Sequence, residues 1–139
     1  FYALLTSIAI LAPFIEEFAK AYPLFYRHGE TQRSLFTLGF LVGLGFGVSE
    51  FFLYVLTLGA PVYTRLPVLF FHAASTSITA YGIATKRTAW FYLTAMALHS
   101  SHNFFLLLGQ FWFIGELATA IAYFISWRLY RAASEITLN

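Results

Sequence analysis

The stretch "LFTLGFLVGLGFGVSEFFLYVLTL", residues 35–58, holds a single ionisable side chain, Glu50, in an otherwise apolar run. A helix needs about 20 predominantly apolar residues to cross the hydrocarbon core of a bilayer, so this run reads as a membrane-spanning helix. Gly39, Gly43 and Gly47 recur every fourth residue, a ladder of small residues that lets a second helix approach closely. Glu50 lies three residues beyond Gly47, near the same face, so it is carried toward a helix contact rather than toward lipid. A carboxyl in that position is either a protonated group bonded across the contact or part of a site.

The remainder of the chain supports the same reading. Of its 139 residues 60% are hydrophobic, 21% aromatic and 10% charged, with a mean hydropathy of +0.72; a soluble domain carries about 25% charged residues. The expected fold is all-α, a polytopic transmembrane bundle of about five transmembrane helices over residues 1–26, 35–58, 67–85, 88–108 and 111–127, forming a single transmembrane helical domain over 1–139. No linker, repeat or low-complexity segment interrupts them. No charged n-region precedes the first apolar run, so a secretory signal peptide is not expected. The absence of cysteine excludes disulfides, thiolate metal sites and a cysteine nucleophile. The net charge of +2 reflects basic loops rather than a nucleic-acid surface. Arg27 and Arg33 fall in the first loop, Arg65 in the second, Lys86 and Arg87 in the third, and Arg128 and Arg131 in the tail. Cytoplasmic loops carry the excess of Lys and Arg, so the C-terminus is expected in the cytoplasm.

Against this background the ionisable residues inside the spans stand out, because a charge at the bilayer centre costs at least about 2.5 to 3.5 kcal/mol. The segment "APFIEEFAKAYPLFY", residues 12–26, carries Glu16, Glu17 and Lys20. Lys20 is four residues from Glu16 and three from Glu17, so it can neutralise either on one helix face. An ion pair that serves insertion explains one carboxylate and leaves the other. Pro13 weakens the helix nearby. Beyond this segment lie Glu50, His72 in "FFHAASTSITAYG", and His99, His102 and Asn103 in "LHSSHNFF". At about 1.5 Å per residue, Glu16, Glu50, His72, His99 and Asn103 all fall roughly 15 to 22 Å from the cytoplasmic helix ends. Four helices thus deliver polar groups to one slab. Ser75, Thr76 and Thr79 extend the His72 face as a stripe that reads as packing. His99 and Asn103 share a face, with His102 on its flank as a supporting or packing residue.

The chemistry is narrowed by what is missing. No Asp occurs, and neither HExxH nor GxSxG is present. Glu, His and Asn suit the activation of water: a glutamate accepts the proton, His orients the water, and His99 with Asn103 donates to a tetrahedral oxyanion. The same groups, Glu16, Glu17, His72 and His99, could instead hold a divalent metal such as Zn2+, since two His and a Glu with an open position form a catalytic zinc set. Both readings give peptide hydrolysis. A proton-coupled transporter and a non-catalytic immunity or scaffold protein are the competing classes.

"EEFAK" at 16–20, "GLGFGVSE" ending at Glu50, His72 in "FHAASTSITAYG" and "HSSHN" at 99–103 appear in this order, and the set resembles the motifs of the PrsW-type intramembrane proteases, kin of the CPBP group that includes the CAAX prenyl endopeptidases. The resemblance implies Glu16 as base, His72 as its partner, His99 with Asn103 as the oxyanion pair, and Glu17, Lys20, Glu50 and His102 in partner or supporting roles. It also implies a membrane-protein or lipid-anchored peptide substrate, a prokaryotic cell membrane, and a family fold with additional N-terminal helices that this chain lacks. The wider group has EExxxR; here Ala21 stands at the arginine position and Lys20 one before it.

Overall fold

A computed structural model of the chain describes residues 2–27 and 30–135. Phe1, at the start of the first expected span, His28 and Gly29 of the first expected loop, and residues 136–139 of the expected domain lie outside the described residues. Among those described the fold is five helices, α1 (Tyr2–Tyr26), α2 (Gln32–Thr57), α3 (Val62–Ala84), α4 (Thr88–Leu107) and α5 (Trp112–Ala132), and no strand.

Local chemistry shapes each helix. In α1 the turn Ser7–Leu11 is wide, with the Ala12 N–H bonded to the Ser7 carbonyl five residues back. Continuing that register would ask the residue 13 amide to bond the Ile8 carbonyl, and Pro13 has no N–H to give. A wide turn of this kind accommodates the break. The α1 helix then tightens into a 3-10 turn at Tyr22–Tyr26, where Pro23 stands. The Thr31 hydroxyl caps α2 by accepting the Ser34 N–H at 3.0 Å. Just outside this helix, the Ser34 hydroxyl and then the Arg27 guanidinium hold the Glu30 carboxyl below its ordinary range.

The Val62–Ala84 helix begins earlier than the sequence suggests. Arg65, expected in a loop, lies in its first turn. Pro67 was the expected boundary, but it lies inside the helix, which runs through it although the ring removes the bond to the Tyr63 carbonyl and crowds it. From Phe71 to Ala80 every residue of this helix is buried, and the other helices pack around it.

The packing is inverted relative to a soluble protein. His72, Ser75, Thr76, Ser77 and Thr79 are buried, whereas Phe14, Phe18, Phe52, Leu56, Trp90 and Phe124 are exposed. Lipid solvates large apolar side chains as well as a core does, so small and hydrogen-bonding residues take the helix contacts. The expected glycine ladder makes the closest of these: a methyl at Gly39 would meet Ala80, one at Gly43 the His72 carbonyl, and one at Gly47 the Leu69 carbonyl.

Helices α1, α2 and α3 are long and apolar enough to cross a membrane. The 20-residue α4 and 21-residue α5 have the length of a crossing. Their apolar character is diluted by Ser100, Ser101, His102 and Asn103 in one and by Glu116, Thr119 and Arg128 in the other. Arg33, expected in the first loop, lies in the first turn of α2, and Arg128 and Arg131, expected in the tail, lie in α5; the start of α2 meets the tail where the Arg33 N–H bonds the Ser134 carbonyl at 3.1 Å and Arg33 pairs with Glu135 at 3.4 Å.

Candidate active site within the bundle

Helical spacing and the glycine ladder together assemble one polar cluster. On α1 the spacing of three brings the Lys20 ammonium to 2.7 Å from Glu17 Oε1, with both side chains buried. That oxygen also accepts from the Ser75 hydroxyl at 3.0 Å and lies 2.9 Å from His99 Nδ1. Glu17 is therefore a committed carboxylate. It accepts the His99 Nδ1 proton, which leaves a lone pair on Nε2, the nitrogen 3.7 Å from Glu16 Oε2.

His72 is held from two sides. Lys20 Nζ is 3.1 Å from its Nδ1, and Glu50 Oε2 is 2.6 Å from its Nε2. An ammonium can only donate, so Nδ1 accepts and Nε2–H donates to Glu50. Arg65 Nη2 closes the series at 3.4 Å from Glu50 Oε1. The result is a continuous chain of ionisable groups: Arg65, Glu50, His72, Lys20, Glu17, His99 and Glu16. Its charged members are three carboxylates against two cations, which leaves room for one further positive charge, a proton or part of a metal ion. The Glu16 Oε2 atom is buried and has no hydrogen-bond partner.

All these helices except α5 open onto a cavity of about 240 Å3 lined by Glu16, Glu50, Arg65, His72, His99 and His102, with Asn103 and apolar neighbours. The structure thus gathers every residue singled out in the sequence, but with different neighbours for each. Glu16 faces the cavity, whereas Glu17 and Lys20 form its buried support. Asn103 Nδ2 donates to the Ile8 carbonyl at 2.9 Å, the acceptor left without a backbone donor by Pro13. His102 is anchored by Nδ1 to the Gly115 carbonyl at 3.2 Å and Thr119 at 3.0 Å and stacks on Phe71, so its Nε2 is a buried acceptor with no partner.

Two participants were missed in the sequence. Ser75 was read as packing, yet it bonds Glu17; its position three residues after His72 was the available signal. Arg65 was read as a loop cation, although it stands seven residues before His72 and therefore near the same helix face.

Metal binding fits the donor set. One ligand atom each from Glu16, His72 and His99 lies within 4.8 Å of the others, the Glu16 oxygen is unpartnered, and Glu17 orients His99 in the way carboxylates orient metal-binding imidazoles. Glu17, included among the expected ligands, stands outside this trio: its Oε1 is taken by Lys20, Ser75 and His99, while its buried Oε2 has no partner.

A helical membrane protein with an intramembrane cluster of glutamates and histidines is the class that fold and site define. The model of the PrsW family intramembrane metalloproteases matches residues 1–129, and the chain belongs to that family. Neither the curated proteins nor the solved structures that were searched gave a match.

Proposed function

We propose that the chain hydrolyses a peptide bond of a membrane-embedded or lipid-anchored protein at the cavity between α1, α2, α3 and α4, with Glu16 as base. The supporting observation is the unpartnered Glu16 Oε2 beside the unprotonated His99 Nε2. A water held between them donates one proton to Glu16 while its oxygen bonds the scissile carbonyl carbon. As the tetrahedral intermediate collapses, the carbon–nitrogen bond breaks and Glu16 returns the proton to the leaving nitrogen, giving an amine and a carboxylic acid that ionises on release. Glu17, charged and paired with Lys20, keeps the His99 tautomer that accepts rather than donates. His72 and Glu50 form the opposite wall.

Glu16, His72 and His99 would hold a divalent cation, which supplies Lewis acidity to water and carbonyl oxygen when bound. Chelation followed by metal add-back, with bound metal measured by elemental analysis, separates this route from one carried by Glu16 alone.

The principal test is cleavage by purified protein of a pool of quenched-fluorescent single-span peptides. Glu16→Gln should lower turnover by about 100-fold or more, and His99→Ala similarly. Wild-type turnover in both variants would overturn the assignment. The contiguous chain of ionisable groups also suits a proton-coupled transporter; that reading requires substrate-dependent proton flux in liposomes, lost with the same substitutions.

A further inference from the structure

Hydrolysis needs a donor for the carbonyl oxygen as it becomes an oxyanion, and of the groups first expected in that role one is an acceptor and the other is half committed elsewhere. His99 gives its one ring proton to Glu17 and presents an acceptor to the cavity. Asn103 spends one of its two amide protons on the Ile8 carbonyl, which leaves a single neutral N–H. The His72 Nε2 proton goes to Glu50. His102 turns its Nδ1 to Gly115 and Thr119. Lys20 is buried behind the wall, divided among Glu17, His72 and Ser75.

Arg65 differs from all of these. It is the one Lys or Arg among the residues lining the cavity. Its guanidinium carries five N–H donors and keeps its charge at any accessible pH. One Nη2 reaches Glu50 Oε1 at 3.4 Å, Nε is buried with no partner, and the plane lies 3.8 Å over the Tyr54 ring, which fixes its orientation. A partly buried guanidinium with unfilled donors calls for an acceptor. A neutral peptide carbonyl that gains negative charge during reaction is such an acceptor, and it binds more strongly the further the reaction proceeds.

We propose that Arg65 is the catalytic residue that donates to the scissile carbonyl oxygen, an inference that rests on the peptidase reading above. The guanidinium shares the carboxylate of Glu50 with His72, so it is held at the wall of the same cavity that Glu16 and His99 line. In the step described above, the electron pair displaced from the carbonyl double bond collects on the oxygen bonded by Arg65. It returns when the carbon–nitrogen bond breaks, and Arg65 itself gains and loses no proton.

The test uses wild type, Arg65→Gln, Arg65→Lys, Glu50→Gln and Arg65→Gln/Glu50→Gln, each against the same peptide pool and against a peptide phosphinate that imitates the tetrahedral intermediate. Arg65→Gln should lower kcat about 100-fold with little change in KM, lose phosphinate affinity in parallel, and be partly rescued in Arg65→Lys. Thermal unfolding identifies a variant that misfolds; if the Gln variant does, the Lys variant carries the test, and a kcat within about threefold of wild type for a bare ammonium, without the guanidinium's geometry, would overturn the proposal. Arg65→Gln turning over like wild type while Glu16→Gln is dead would overturn the role of Arg65 and leave the proposed function standing. A phosphinate-affinity loss that disappears in the Glu50→Gln background would overturn it too, by showing that Arg65 acts only through Glu50. No cleavage by wild type would remove both.

Discussion

Lys20 is shared by Glu17, His72 and Ser75, and this sharing makes it the residue on which the inner half of the site depends. Removing the ammonium leaves the Glu17 charge buried with no counter-ion, an arrangement that costs about 3 to 5 kcal/mol, whereas replacing both partners is often close to neutral. Lys20→Met should therefore unfold in detergent at a markedly lower temperature than wild type, and Lys20→Met/Glu17→Gln should recover most of the loss. Equal destabilisation in the single and double variants would mean that Lys20 is not balancing Glu17. By contrast, the exposed Arg33–Glu135 pair belongs to a class worth about 0 to 1 kcal/mol. The local Glu17–Lys20 spacing was legible in "EEFAK". That Glu17 rather than Glu16 holds the lysine was not, because spacings of three and four are equally compatible with one helix face. The choice is made by Ser75 and His99, residues on two other helices that also bond Glu17.

At the scale of helices, the glycine ladder of α2 is both the most legible feature and the one with the sharpest consequence. A methyl at Gly43 would meet the His72 carbonyl, while one at Gly45 meets nothing within 4 Å. Gly43→Ala should push α2 from α3, cost about 1 to 3 kcal/mol and separate Glu50 from His72. Gly45→Ala, on the same helix with the same change in propensity, should be silent in thermal unfolding. A Gly43→Ala variant as stable as Gly45→Ala would show that the helices are not in close contact there. Other element-level facts could not be read from spacing. The bond from Asn103 to Ile8 exists because Pro13 strips a donor from a wide turn of α1, and a periodicity count that assumes regular helix is blind to the carbonyl so exposed. Arg65 was misplaced for a related reason: Pro67 was read as a boundary, although tertiary packing carries the helix through it from Val62.

At the scale of the molecule, the basic residues of the first loop, third loop and tail give an orientation open to direct measurement. The chain has no native cysteine, so single cysteines report without background. With the C-terminus in the cytoplasm, Lys86→Cys should react with a membrane-impermeant maleimide only in inverted vesicles, and Tyr63→Cys, at the exposed opposite end of α3, only in intact cells. The reverse pattern would invert the topology. The overall count of helices was readable because each apolar run is long enough to form one; the lower apolarity of α4 reflects His99, His102 and Asn103, which line the cavity. The way the charges are paired also constrains how the polypeptide enters the bilayer. Glu17 and Lys20 neutralise each other within one helix, so Glu16 is the one carboxylate of α1 that enters the bilayer without a local counter-charge. Glu50 has no such local partner: Arg65 and His72 both lie on the following helix. The second and third helices are thus expected to partition together, as a hairpin whose loop is already synthesised when Glu50 leaves water.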